Sequence, residues 1–205
     1  MERKLLLATN NPGKVREYRA LLQGLPWRLT TPGEEGVAEE PEETGTTFEE
    51  NALLKARYYA ARTGLPTLAD DSGLEVDALA GEPGVRSARY AGAEATDEER
   101  LRFLLAKLAG VPWERRTARF RCVIALVWPS GREETFQGAL EGYVAEGPQG
   151  KNGFGYDPVM YLPRWRSTVA QLDLSTKNLV SHRGQAARQV AERLRREPEV
   201  VGERA

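Results

Sequence analysis

Leu68-Ala69-Asp70-Asp71-Ser72-Gly73 is the stretch on which the reading of the fold turns. The short run of Leu65, Thr67, Leu68 and Ala69 has the composition of a strand. It predicts a strand that stops on two carboxylates and a Ser-Gly turn. In an α/β protein, chemistry sits just past the carboxyl ends of the sheet strands, which makes acids at this point candidate site residues. Neighbours on a strand point to opposite faces, so Asp70 and Asp71 are expected to play different parts. One projects into a cleft, while the other braces the turn or shares a metal at its edge. The plain alternative is a polar turn, which these residue types favour in any case.

Around this stretch, 205 residues are enough to bury a core in one domain or two tightly joined lobes. Hydrophobic residues at 40% and charged residues at 29% describe a soluble globular protein. A net charge of −1 argues against a general nucleic-acid binder, so any anionic ligand must be met by local positive charge. Cys122 is the single cysteine, which excludes an intrachain disulfide, and its apolar surroundings read it as a small buried hydrophobe. Only four apolar residues, Leu5 to Ala8, follow Met1-Glu2-Arg3-Lys4, too few for the hydrophobic region of a signal peptide. No run approaches membrane-spanning length. A cytoplasmic protein with neither membrane nor nucleic-acid partner is expected.

Lys4 to Ala8 reads as a buried strand. Thr9-Asn10-Asn11-Pro12-Gly13-Lys14 follows, then Val15, Tyr18, Leu21 and Leu22 at helical spacing. A strand, a polar loop and a helix start make an anion-binding arrangement, because free amide N–H groups and the positive helix end face the loop. Lys14 adds a full charge. This is not a P-loop: Ala8 stands where the first glycine belongs and Val15 where Ser or Thr follows the lysine. An ordinary strand-to-helix turn is the alternative.

Trp27 to Thr31 predicts a short strand, and the acids from Glu34 to Glu43 a solvated loop. Glu42 and Glu43 stand apart from the others, because they directly precede Thr44-Gly45-Thr46-Thr47. A carboxylate near a helix start is held in place, as a metal ligand must be. Thr47 and Glu50 predict a capping box for a helix running to about Arg62, with Gly64 ending it. Asn51 and Lys55 share one face of that helix, and spacing alone reads them as exposed polar residues.

Leu74 to Asp77 alternates like a half-exposed strand. Arg89 suits either a phosphate or a surface ion pair. Thr96 and Glu99 predict a second capped helix with Leu101, Leu104, Leu105 and Leu108 inward. Thr117 to Trp128 predicts a long strand entering the core, Glu133 to Gln137 its hairpin partner, and Leu140 to Ala145 a further strand. The basic residues from Arg115 to Arg121 read as a solvated strand edge.

Gly147 to Pro158 is a glycine-rich loop carrying Phe154, Gly155, Tyr156 and Asp157, and such loops let backbone approach a ligand closely. Phe154 either stacks on a base or plugs the loop from beneath. Thr168 and Gln171 suggest a capped short turn. Lys177 and Ser181-His182-Arg183-Gly184 precede an amphipathic helix through Ala187, Val190, Ala191 and Leu194. His182 is the only histidine, which excludes histidine metal clusters. With Lys177 and Arg183 it makes a donor-rich trio. Carboxylate oxygens without His or Cys clusters suit Mg²⁺, with Mn²⁺ as a substitute. These parts together suggest a nucleoside phosphate as ligand, with donors and an aromatic on the base.

Several blocks together resemble the ITPase/HAM1 family of non-standard purine nucleoside triphosphate pyrophosphatases. They are Ala8 to Lys14, Glu42 to Gly45, Phe48 to Ala56, Ala69 to Leu74, Ser87 to Tyr90, Phe154 to Pro158 and Ser181 to Gly184. The likeness runs from residue 5 to about 190. It implies an elongated α/β fold in which a long mixed β-sheet and its helices form two lobes around a central cleft, as a homodimer. Residues 1–197 are then a single unit and 198–205 a C-terminal tail. It also implies Mg²⁺-dependent hydrolysis of ITP, dITP and XTP to the monophosphate and pyrophosphate. Carried over by motif, Asp71 is the general base, and Glu42 with Asp71 holds the metal. Thr9, Asn10, Asn11, Pro12, Gly13 and Lys14 hold the triphosphate, and Ser72 contacts the substrate. Phe154, Gly155, Tyr156, Asp157, Lys177, His182 and Arg183 form the base pocket. Two rivals share these parts, a pyrophosphatase for modified pyrimidine nucleotides and a non-catalytic nucleotide sensor.

Overall fold

A computed structural model describes residues 3–197, and the tail expected at 198–205 lies outside the described residues. Seven strands form one mixed sheet: β1 (Lys4–Leu7), β2 (Arg28–Thr30), β3 (Thr67–Val76), β4 (Thr117–Val127), β5 (Glu133–Val144), β6 (Met160–Leu162) and β7 (Ser167–Thr168). Their order is β2-β1-β3-β4-β5-β6-β7. β1 is parallel to β2 and β3, and every later pair is antiparallel. The helices are α1 (Pro12–Leu21), α2 (Phe48–Thr63), α3 (Asp97–Lys107), α4 (Leu174–Val180) and α5 (His182–Arg195). Among the described residues, no helix is long and apolar enough to cross a membrane.

The helix starts follow the local chemistry. Thr47 and Glu50 close a reciprocal capping box on α2, and Gly64 ends that helix in the left-handed region at φ 65°. Thr96 and Glu99 do the same for α3, and Thr168 with Gln171 caps a short 3₁₀ turn.

The strand through the two acids does not stop where its composition suggests. β3 runs unbroken from Thr67 to Val76, so Asp70-Asp71-Ser72-Gly73 lies in mid-strand and not in a turn. The reason is the neighbour: β4 pairs with β3 from Thr67↔Val127 to Val76↔Ala118 and supplies a ladder throughout. β1, by contrast, pairs with β3 only at Leu6↔Thr67 and Leu7↔Leu68. Beyond Leu68 one edge of β3 is therefore free of β1, and both acids sit just past the carboxyl end of that parallel neighbour. A cleft opens there.

Two other expectations change for related reasons. Glu133 to Val144 is one strand, not two. Gly138, where the sequence suggests a break, marks a close approach instead: a Cβ there would lie 2.1 Å from the His182 carbonyl oxygen. The basic residues from Arg115 to Arg121 are not a sheet edge either, because β4 lies between β3 and β5. Arg116 is buried and donates to the carbonyls of Leu108 (2.9 Å), Val111 (3.0 Å) and Ala145 (3.2 Å).

The core has three parts. α1 and α5 cover one face through Leu5, Tyr18, Leu68, Ile124, Ala187 and Val190. α2 covers the other through Leu6, Ala52, Ala56, Ala69, Val123 and Ala125. Farther along the same strands, Leu74, Val76, Leu104, Phe120, Val144 and Met160 form a third cluster with α3. On β3 the first and third clusters are separated by Asp70 and Ser72, so the polar residues occupy the gap between apolar masses.

Candidate active site

The loop after β1 is built by its own side chains. Asn11 caps α1, its Oδ1 accepting from the Lys14 amide at 3.0 Å, and Pro12 occupies the first turn, where no N–H is needed. This aims Lys14 at the sheet, with its Nζ 3.0 Å from Asp70 Oδ1. Asp70 is fully buried, and its other oxygen accepts from Arg183 (Nη2, 3.1 Å) and Ser72 (Oγ, 3.2 Å). Burial alone would raise its carboxyl. Lys14, Arg183 and Lys55 outweigh that and hold it well below the usual carboxylate range.

Asp71 faces the other way. Its Oδ2 accepts from Asn51 Nδ2 at 3.0 Å, its Oδ1 from the Ser72 amide at 3.1 Å, and Lys55 Nζ is 3.6 Å from Oδ1. Burial raises its carboxyl, nearby Glu43 adds to the effect, and Lys55 and Lys14 only partly oppose it. Asn51 and Lys55 are thus not exposed polar residues. Asn51 is fully buried, and Lys55 bridges Asp71 and Glu43, with Nζ 2.7 Å from Glu43 Oε1. Glu43 lines the cleft, whereas Glu42 on the same loop is exposed.

The far wall carries the base-pocket candidates. Arg183 and Lys177 are held by Glu17, which is buried on α1 with contacts of 2.7 Å and 2.6 Å respectively. Lys177 also bonds Asp157, and Asp157 in turn accepts from the Phe154 amide at 2.9 Å. Burial raises the Asp157 carboxyl against the pull of Lys177. Phe154 lies over both cations, 4.7 Å from Lys177 Nζ and 5.5 Å from the Arg183 guanidinium carbon. His182 stacks on Phe120 at 4.8 Å, and burial, with Arg183 and Lys177 nearby, keeps its imidazole neutral. Tyr156 lines the cleft, but its hydroxyl is committed to the Ser87 carbonyl at 2.9 Å.

One cleft therefore gathers Asn11, Lys14, Asp71, Ser72, the Phe154–Asp157 segment, Lys177, His182 and Arg183. Thr9, Asn10, Pro12 and Gly13 build the loop above it without lining it. The profile of the Ham1 family matches residues 5–193. This chain belongs to the Ham1 family.

Other Ham1-family proteins agree in length and shape. The dITP/XTP pyrophosphatase of Symbiobacterium thermophilum is 55% identical over 193 residues, covering 94% of this chain and 95% of its own. A dITP/XTP pyrophosphatase of Thermus thermophilus is 51% identical, covering 92% and 90%. A HAM1 protein structure from Coxiella burnetii superposes with a TM-score of 0.87 at 45% identity, over 95% of this chain and all (100%) of that one. The Staphylococcus aureus Ham1 structure gives 0.84 at 40% identity, over 94% of this chain and 98% of that one.

For a Ham1-family chain, the residues that the sequence pattern did not single out are informative. Glu17 sits three residues after Lys14 on the same side of α1, and that spacing is the signal that would have found it. Asp97, from the first turn of α3, accepts from the Gly155 amide at 2.7 Å and ties the glycine loop to the third cluster. The donor set also fits a hard divalent cation. Glu43 and Asp71 bring two carboxylates to one ammonium, and Mg²⁺ is typically held by one or two carboxylates plus substrate phosphates.

Proposed function

We propose that this chain hydrolyses non-standard purine nucleoside triphosphates (ITP, dITP and XTP) to the monophosphate and pyrophosphate. The observation that carries the reading is that one cleft is lined both by Asp71 and Lys14 and by Lys177, His182 and Phe154. Triphosphate chemistry and base recognition need both sets of residues.

Asp71 is the proposed general base. Its carboxyl is raised toward the working range of a proton acceptor, and it lies at the open edge of β3. Water adds to the α-phosphorus, its proton passes to Asp71, and the bridging oxygen departs with pyrophosphate as the α–β bond breaks. Lys14 faces the charge that grows on that leaving group. Asp70, locked against Lys14 and Arg183, is a brace and not a base. Glu43 and Asp71 are the residues that would hold Mg²⁺, which supplies charge neutralisation on the phosphates when bound. Glu42, suggested by the motif alone, is exposed one residue away.

Base selection follows from the buried ammonium. Lys177 donates to Asp157 and pairs ionically with Glu17 at 2.6 Å, and an ammonium with three N–H groups keeps donor capacity for a ligand. The C6 oxygen of hypoxanthine or xanthine accepts that bond, whereas adenine presents an amino group and strands the donor. Mg²⁺ dependence, a homodimer and a cytoplasmic location belong to the same proposal. Supplying ITP, XTP, ATP, GTP and dTTP with Mg²⁺ and identifying the products is the test. Pyrophosphate from ITP and XTP supports the reading. Selective turnover of dTTP, or binding without turnover, overturns it.

A further inference from the structure

Asn51 lies wholly inside the protein, between the loop of Glu43 and the strand of Asp71. It has no exposed surface, and both ends of its amide are used. Its Nδ2 donates to Asp71 Oδ2 at 3.0 Å, while its Oδ1 accepts from the Gly45 amide at 2.8 Å. These partners fix which end of the amide is which, since a backbone N–H needs an acceptor and a carboxylate needs a donor. Gly45 lies two residues beyond Glu43, in the loop leading into α2. One side chain therefore joins the loop that carries Glu43 to the strand that carries Asp71. Glu50, one residue earlier, anchors the same loop through the Thr46 amide (2.7 Å), so the segment is fixed at consecutive positions.

The fit leaves no slack. A Cβ on Gly45 would lie 2.5 Å from Asn51 Oδ1 and 2.9 Å from its backbone nitrogen, inside any tolerable contact. Gly45 does not take a positive φ, so its need for glycine comes from this approach and not from backbone conformation. The remaining contacts of the two acids are all ionic or local. Lys55 spans Asp71 and Glu43, Arg89 reaches Glu43 at 3.3 Å, and the Ser72 amide bonds Asp71. An ammonium on a long flexible stem tolerates a range of separations between two carboxylates. A buried amide with two fixed partners does not.

We propose that Asn51 is a positioning residue that sets the separation and orientation of Glu43 relative to Asp71. It makes no contact with substrate and acts through these two acids. The inference rests on the proposed function, because it concerns how that reaction is set up. It assigns a purpose to an amide that a purely stabilising role would not require: replacing it disturbs turnover more than it disturbs folding.

The experiment compares wild type with Asn51→Ala, Asn51→Asp, Gly45→Ala and the Gly45→Ala/Asn51→Ala double variant. Readouts are kcat and KM for ITP, thermal unfolding, and Mn²⁺ binding by electron paramagnetic resonance without nucleotide. Asn51→Ala is expected to lower kcat about 100-fold, as a displaced reacting group does. KM for ITP stays within about twofold, because the phosphate and base contacts are untouched. Mn²⁺ affinity falls by about 10-fold, in line with losses of outer-shell support. Gly45→Ala lowers kcat in the same sense although it does not touch Asp71, and the double variant is no worse than Asn51→Ala, because both act through one amide. Should Asn51→Ala fail to fold, Gly45→Ala carries the test, because its Cβ, 2.5 Å from Asn51 Oδ1, displaces the same amide, and a fall in kcat in the same sense is expected. Asn51→Asp, which sets a second carboxylate 3.0 Å from Asp71 so that the pair shares a proton, is expected to lose kcat as well. Wild-type kcat or unchanged Mn²⁺ affinity in a folded Asn51 variant overturns the inference, as do multiplying losses in the double variant. Wild-type protein that releases no pyrophosphate from ITP or XTP overturns the proposed function instead, and the inference with it.

Discussion

Asp70 and Asp71 are adjacent on β3 yet belong to different charge networks. Asp70 lies 3.0 Å from Lys14 and 3.1 Å from Arg183, whereas Asp71 meets Asn51 at 3.0 Å and Lys55 at 3.6 Å. The alternation of the strand separates them, and the helices on either face complete the difference. α1 and α5 supply cations to Asp70; α2 supplies an amide and an ammonium to Asp71. Two like groups with oppositely displaced carboxyls are the pattern that marks distinct roles in a site.

Asp71→Asn removes the proton acceptor at nearly constant volume and leaves one oxygen to accept where Asp71 has two. Turnover of ITP is expected to fall by orders of magnitude, with ITP still binding in a calorimetric titration. Rates close to wild type in that variant would take the base role away from Asp71.

The same variant has a stability signature. The Asp71 carboxyl is raised in the folded protein, chiefly by burial, so folding favours the protonated form. The ionised carboxylate therefore detracts from stability at neutral pH, and proton uptake recovers it as pH falls through the folded pKa. Asp71→Asn should be at least as stable as wild type at pH 7. The gap should close toward about pH 4, near the unfolded value for aspartate. Urea midpoints across that range check it, and a gap that widens on acidification contradicts the assignment.

Asp70→Asn should behave oppositely. Burial would raise this carboxyl, but Lys14, Arg183 and Lys55 prevail and hold it low. Its stabilising contribution is fully present above the unfolded value of about 3.9 and is lost as pH falls below it. Removing the charge leaves Arg183 and Lys14 short of a partner in a buried setting, a loss of about 3–5 kcal/mol at neutral pH. The acid dependence of stability below about pH 4 should flatten in the variant. Equilibrium urea unfolding gives both quantities.

What the sequence made legible was local. The capping boxes at Thr47 and Thr96 and the Gly64 stop are readable, because each is decided within one turn of chain, whereas α1 starts at Pro12, inside the stretch read as a polar loop. What it hid was decided by distant partners. Asp-Asp-Ser-Gly has turn composition, yet β4, far later in the chain, holds it extended. Asn51 and Lys55 look solvent-facing on α2 until β3 places Asp71 opposite them. Arg116 sits in a basic run, but its burial depends on carbonyls of Leu108, Val111 and Ala145. The contacts of Glu43 with Lys55 and Arg89 likewise depend on the path of the loop, which Asn51 and Glu50 fix.

Phe154 admits two readings, a platform for a base or a plug, and its surroundings support a test that separates them. Lys177 and Arg183 lie 4.7 Å and 5.5 Å from its ring, as cations beneath an aromatic do. Gly13, from the phosphate loop, packs so closely that a Cβ would lie 2.5 Å from Phe154 Cδ1. The ring is thus clamped between the two halves of the site, and only part of it is left for a ligand. If it stacks, Phe154→Ala weakens base binding by about 1–3 kcal/mol, read as a raised KM for ITP with less change in kcat. Gly13→Ala, which keeps the ring but pushes it aside, should raise KM in the same direction. An unchanged KM in Phe154→Ala, with a lowered unfolding midpoint, assigns the ring to packing alone.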